Sequence, residues 1–272
     1  MRAFKLFALG GGFVLLCTVA QAERIVTLGG TVTEIVFQLG GGQQVVAIDQ
    51  SSLYPPESQH LPRVGYYRQT PLEGVAAMLP DKVLASENAG PPEVLQRLQA
   101  LGVAVQQVPD GATVDSLYQR ITMIAAQLGV EREGEVLKQT IRNELEQVRT
   151  LPAHPLKTAV LMYRGTQFQL SGTGTSAHHL LEWAGLSNIQ SARTGYTSLS
   201  VEGVAALDPE LIVITQASVD ALGGVQAFLR LPGMEHTQAV KNKRVVVMDD
   251  LLILGIGPRV AQAVQQLKQA AM

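Results

Sequence analysis

The chain has 272 residues, 46% of them hydrophobic and 16% charged, with 21 basic against 23 acidic side chains. So much apolar material excludes a disordered chain and suffices for one large or two medium cores. A net charge of −2 leaves no electrostatic footprint for nucleic acid.

The first 22 residues read as a secretory leader. Arg2 and Lys5 form its positive end, Leu6 to Val19 its apolar stretch, and Ala20-Gln21-Ala22 a small-residue site with cleavage after Ala22. The only cysteine, Cys17, lies inside the leader behind the bulky Leu16, which argues against lipidation. Without it the mature chain has no disulfide, thiolate metal site or cysteine nucleophile. Losing Arg2 and Lys5 leaves 19 basic residues against 23 acidic ones, a net charge of −4. No later stretch reaches the ~18 uninterrupted apolar residues that a membrane span needs.

From Arg24 the pattern alternates. A strand over Arg24 to Leu28 precedes a helix to Leu39, with Thr31 and Glu34 spaced as a capping box. Val45 to Asp49 is a strand, Ser51 to Arg63 a loop rich in Pro and Ser, and Gly65-Tyr66-Tyr67-Arg68 a second loop. A helix over Leu72 to Leu79 stops at Pro80, Lys82 to Ala85 is a strand, a helix runs from Gly90-Pro91-Pro92 to Leu101, and Ala104 to Val108 is a strand. Such alternation predicts an α/β fold with mostly parallel sheets.

Between Val114 and Thr150 the alternation gives way to apolar residues at helical spacing, broken at Gly129. The second helix carries no Gly or Pro from Val136 to Leu151, which predicts a stiff connection. Strands over Thr158 to Tyr163 and Gln167 to Leu170, a helix over His178 to Ala184, a strand over Arg244 to Met248 and a closing helix after Gly255 complete the chain.

An internal repeat fixes the organisation. Gly65-Tyr66, Glu73-Gly74-Val75-Ala76-Ala77 and Pro80 match Gly195-Tyr196, Glu202-Gly203-Val204-Ala205-Ala206 and Pro209, about 130 residues on, too wide a spacing for a solenoid. The pattern predicts two Rossmann-like lobes, residues 23–112 and 153–272, joined through a helical connector over 113–152, with a cleft between them.

Several constellations are candidates for chemistry. Gly172-Thr173-Gly174 to Ala177 offers a GxGxxA turn before a helix, but the next suitably spaced acid, Glu202, belongs to the repeat, so a tight turn explains it better than a nucleotide site. His178 and Glu182 have the spacing of zinc ligands without a third partner, as an exposed helix face also would. Tyr66 and Tyr67 beside Arg68 suit ferric iron, to which a phenolate is a hard donor, with the guanidinium supporting the phenolate or pairing a ligand carboxylate. Glu73 and Glu202 cap short helices, and their symmetry suits docking on a two-fold partner bearing arginines.

Val64-Gly65-Tyr66-Tyr67-Arg68, Glu73-Gly74-Val75, Pro80 to Ala85, Glu87-Asn88-Ala89-Gly90-Pro91-Pro92, Gly195-Tyr196 with Glu202, and Gly257-Pro258-Arg259 together resemble the periplasmic haem-binding proteins of bacterial ABC importers. These belong to the long-helix class, class III, that also holds vitamin B12 and siderophore carriers. The resemblance covers essentially all of residues 23–272. It implies a non-enzymatic periplasmic carrier of haem b that takes its ligand from an outer-membrane receptor system and passes it to an inner-membrane permease dimer. It makes Tyr66 the axial ligand to haem iron, Arg68 its support, and Glu73 and Glu202 the permease contacts. The alternatives are a siderophore or cobalamin carrier, a nucleotide-dependent enzyme or a chelatase.

Two departures stand out. Where some relatives place a second iron ligand, a histidine, this chain has Leu161-Met162-Tyr163-Arg164, so Tyr163 or Arg164 approaches the far haem face or a propionate. Tyr67 stands where relatives usually carry methionine, leaving two adjacent tyrosines for one role. Arg164, Arg230 and Arg259 are candidate propionate partners.

Overall fold

The computed structural model describes residues 23–272, so the leader, its cleavage site and Cys17 lie outside the described residues. In the first lobe β1 (Ile25–Leu28), β2 (Val45–Ile48), β3 (Lys82–Ser86) and β4 (Ala104–Val108) form one parallel sheet in the order β2-β1-β3-β4. β1 is buried along its whole length because helices cover both faces of the sheet, which is why its sequence does not alternate.

The second lobe holds β5 (Lys157–Arg164), β6 (Gln167–Ser171), β7 (Ser187–Asn188), β8 (Tyr196–Leu199), β9 (Leu211–Thr215) and β10 (Val245–Met248). Their order is β10-β9-β5-β6-β8, with β7 also paired to β5. Here the sheet is mixed, since β6 runs antiparallel to both β5 and β8. The turn between β5 and β6 has only Gly165 and Thr166, and Gly165 takes φ 68°, so the chain doubles back as a hairpin instead of crossing over through a helix.

Between the lobes run helices Val114–Leu128 and Glu131–Arg149, separated at Gly129, which caps the first with φ 67°. They pack closely through Gly134, where a Cβ would lie 2.6 Å from that of Ala125. Ile121, Ile124 and Ile141 join one apolar core containing Val32 and Ile35 of the first lobe and Leu180 and Val264 of the second. The lobes are thus fused through a shared core, and each has a smaller core on its outer sheet face.

Polar ties cross the same junction. Arg120, fully buried, pairs with Asp110 at 3.0 Å and donates through Nη1 to the Thr31 hydroxyl at 2.9 Å and the Ile256 carbonyl at 3.0 Å. Arg259 donates from Nε to Glu34 at 2.9 Å, reaches Asp249 at 3.4 Å, and lies 3.6 Å over the Tyr54 ring. These contacts correct the capping box expected of Thr31 and Glu34. Gly29 is the N-cap of helix Gly30–Gln38 with no side-chain cap, because both side chains are drawn to arginines across the junction.

Burial raises the Glu34 carboxyl above its ordinary range despite Arg259, and the folded protein therefore holds that proton more tightly than the unfolded chain. The sign follows: Glu34's contribution to stability is greatest in acid and declines as pH rises through the folded value. Urea unfolding of wild type and Glu34→Gln at pH 5 and pH 8 should show the stability difference moving in the variant's favour at the higher pH. A difference independent of pH would contradict this.

The repeat extends to backbone detail. Helices Leu72–Ala76 and Val201–Ala206 carry Glu73 and Glu202 in their first turns. The residues before the matched prolines, Leu79 and Asp208, take the left-handed φ values 47° and 44°, the same turn in both lobes. That ends the first helix short of the expected Leu79. Two residues further on, the Asp81 and Glu210 carboxylates each accept a backbone N–H at 2.8 Å, from Arg24 and Lys157 at the entrances to β1 and β5.

Candidate functional site

The tyrosine loop is tied at both ends. Val64 donates to the Ile48 carbonyl at 2.9 Å, and Gln50 donates to that of Gly65 at 2.8 Å. Gly65 takes φ 106°, and a Cβ there would lie 2.9 Å from Pro71. Beyond it, the Tyr67 carbonyl accepts from Gly90 N–H at 3.0 Å while Thr70 N–H donates to the Gly90 carbonyl at 2.6 Å. The Glu87 to Pro92 segment thus straps the loop down, a physical reason for the two motifs to occur together.

This anchoring sets the two tyrosines apart. Tyr67 is 8% exposed and packs with Val64, Val75, Ala89 and Leu95, and burial pushes its phenol far above its ordinary value. Tyr66 stands outside with 42% of its surface exposed, edge-on to Tyr67 at 5.1 Å. Arg68 lies 4.9 Å from the Tyr67 ring centre. Burial works against its charge, but the neighbouring Tyr67, Tyr66 and Asp110 leave the guanidinium more firmly protonated than usual.

In the second lobe, Tyr196 lies within electrostatic range of Arg68 and Arg164. Tyr196 is 49% exposed at the start of β8. Crowding there raises its phenol, while Arg68 and Arg164 act in the opposite sense. Tyr196 is the residue the site assignment from sequence missed, although its match to Tyr66 in the repeat was the signal that pointed to it.

Other candidates lie elsewhere. The Tyr163 ring packs on Phe168 at 5.3 Å against the second lobe's core, leaving Arg164 as the exposed member of that pair. Arg259, a candidate at the ligand, is committed to Glu34 and Asp249 at the lobe junction, and Arg230 ends helix Val225–Leu229 on the surface. Glu73 and Glu202 are exposed, and hydrogen bonds from its own backbone and from Ser200 hold the Glu202 carboxyl below its usual range.

His178 and His179 both approach Glu182, at 3.4 and 3.2 Å, and His178 also meets Asn188 at 3.1 Å. Among the described residues no group of three ligand-type side chains is placed to hold a metal. Gly172 is explained by packing, since a Cβ there would fall 2.0 Å from the Arg193 carbonyl oxygen. Grooves of about 460 and 370 Å³ flank the long connecting helix, and neither is lined by the tyrosines. The exposed phenol of Tyr66 with Arg68 beside Tyr67 is therefore the candidate site on its chemistry and not on enclosed volume.

Two α/β lobes fused through a long connecting helix define the class III periplasmic binding protein architecture. Residues 25–252 match the model of the periplasmic binding protein family, and the chain belongs to that family. Among solved structures it is similar to the periplasmic heme-binding protein RhuT from Roseiflexus sp. RS-1 in apo form, at 35% identity and TM-score 0.86 over 93% of this chain and 100% of that one. It is also similar to a periplasmic heme-binding protein from Pseudomonas aeruginosa, at 32% identity and TM-score 0.82 over 91% and 92%. A vitamin B12-binding protein of Pectobacterium atrosepticum is 29% identical over 93% of this chain and 91% of its own. The named relatives thus include both heme-binding and vitamin B12-binding proteins.

Proposed function

We propose that the mature protein is a periplasmic carrier of haem b, which it binds in the cleft with the Tyr66 phenolate on the ferric iron and delivers to an inner-membrane ABC permease. The observation that supports this best is the contrast within the tyrosine pair: Tyr67 is packed in the core and held protonated, whereas Tyr66 offers an accessible oxygen beside a guanidinium. Tyrosine is a known haem ligand. Arg68 and Arg164 suit the propionates, which a guanidinium pairs strongly. Cobalamin carries neutral amide side chains and a single phosphate in place of two carboxylates, and a hexadentate siderophore fills the iron's positions with its own donors and leaves none for Tyr66.

Titration of the mature chain with ferric haem, cyanocobalamin and a ferric siderophore tests the reading. The expected result is a shifted Soret band with a dissociation constant of about 1 µM or tighter, near −8 kcal/mol, and no comparable response to the other two. Cobalamin or siderophore binding without haem binding would overturn it.

Glu73 and Glu202 are proposed to meet arginines of the permease, one per lobe. Reversing both charges, Glu73→Arg with Glu202→Arg, should cut haem transfer to a reconstituted permease by about tenfold or more, since like charges at an interface are costly. Haem affinity itself should stay within about twofold, because neither residue belongs to the tyrosine cluster. Unchanged transfer would remove the docking assignment and leave the haem reading standing.

A further inference from the structure

The Glu87 to Pro92 segment that straps the tyrosine loop is itself held from its other side. It follows β3, and the loop after β4 clasps it in both directions. Glu87 N–H donates to the Val108 carbonyl at 2.8 Å, and Asp110 N–H donates to the Glu87 carboxylate at 2.7 Å. In return the Asp110 carboxylate accepts from the Ser86 hydroxyl at 2.8 Å and, at 3.4 Å, from the Asn88 amide. Ser86 Oγ also accepts the Asn88 N–H at 3.1 Å, which shapes the turn leading into Gly90. The tyrosine loop, the strap and the clasping loop all leave the carboxyl ends of parallel strands, the edge at which sheets of this kind bind ligands.

The other oxygen of Asp110 faces the lobe junction. It pairs with Arg120 Nη2 at 3.0 Å and accepts from the Thr31 hydroxyl at 3.4 Å, while Arg120 reaches the Ile256 carbonyl of the second lobe at 3.0 Å. A continuous run of contacts therefore leads from the second lobe to the tyrosine loop. It passes from Ile256 through Arg120, Asp110 and Ser86 to Gly90, whose N–H and carbonyl hold Tyr67 and Thr70. An acid whose only task was to neutralise Arg120 would need one oxygen at the junction. Asp110 commits its second oxygen to the strap, and the exposed Glu87 turns its carboxylate back onto the Asp110 backbone.

We propose that Asp110 and Glu87 are positioning residues of the ligand site: they clasp the strap, and through it they fix where the tyrosine loop presents Tyr66, without touching the ligand themselves. The inference rests on the haem reading. It also gives Glu87 of the Glu87 to Pro92 motif a task, which its exposure denies to packing. A donor atom must be held within about 0.5 Å of its productive place, whereas apolar contact with a ring tolerates more displacement. Loosening the clasp therefore acts on iron ligation before it acts on the macrocycle.

The test uses the mature protein and its Glu87→Ala and Ser86→Ala variants, which cut the two directions of the clasp separately and leave the pair of Arg120 with Asp110 in place. In the ligand-free protein, amide hydrogen exchange at Gly90 and Thr70 should quicken about tenfold in both variants, while the β9 amides of the second lobe follow only the global stability measured in urea. Ferric haem should bind about fivefold more weakly, with a diminished phenolate-to-iron charge-transfer band, and iron-free protoporphyrin IX should stay within about twofold of wild type. Wild-type exchange at Gly90 and Thr70 in both variants would overturn the inference, and so would an equal loss for the two porphyrins, which a purely structural role produces. Failure of the wild type to bind ferric haem would instead bring down the haem reading, and the exchange rates would still decide whether the clasp holds the loop.

Discussion

Tyr66→Ala is expected to weaken ferric haem binding by about 100-fold, roughly 3 kcal/mol, with loss of the absorption features of phenolate ligation. The reasoning is local. Tyr66 is 42% exposed, and its ring meets the edge of Tyr67 at the rim of the core. Removing it should leave the fold intact and take away the proposed iron ligand. Tyr67→Ala should do the reverse. It empties a site walled by Val64, Val75, Ala89 and Leu95, and truncating a buried aromatic costs about 3 to 5 kcal/mol of stability. Tyr67→Phe keeps that packing and should bind haem like wild type. Paired haem titrations and urea melts of the three variants separate the roles, and an exchange of the two phenotypes would move the ligand to Tyr67.

A stability effect of comparable size is expected at Arg120. Its guanidinium has no exposed surface and gathers Asp110, Thr31 and the Ile256 carbonyl, so that one side chain ties β4's exit, the first helix and the second lobe. Arg120→Met keeps the length and apolar stem but leaves the Asp110 carboxylate and a buried carbonyl without their partner. Breaking a buried pair from one side costs about 3 to 5 kcal/mol, which in a chain of this size lowers the thermal midpoint by about 10 °C. Adding Asp110→Asn should recover part of the loss, because the stranded charge is the main cost. A loss below about 1 kcal/mol in the single variant would show that the shared apolar core alone holds the lobes together.

Where the fold was legible in the sequence, the signal was local. The apolar run from Ile25, the break at Gly129 and the strand over Ala104 to Val108 fall where pattern and glycine placement put them. The repeat was legible for a similar reason: the pre-proline residues Leu79 and Asp208 and the acids Asp81 and Glu210 impose the same geometry in both lobes. What escaped were contacts between distant parts of the chain. Glu34 and Arg259 are 225 residues apart, and nothing near Glu34 distinguishes a junction acid from a helix cap. The antiparallel course of β6 turns on a two-residue loop, which periodicity alone does not separate from a crossover. Tyr196 was visible as a repeated letter, but its coming within electrostatic range of Arg68 depends on how the two lobes meet.

A crystal structure of the mature protein with ferric haem is the most direct measurement of what the cleft is for. The account predicts iron bonded to the Tyr66 phenol oxygen, with the Arg68 guanidinium at that oxygen or at a propionate. Iron held by any other side chain, or haem bound outside the cleft with Tyr66 still exposed, would contradict it.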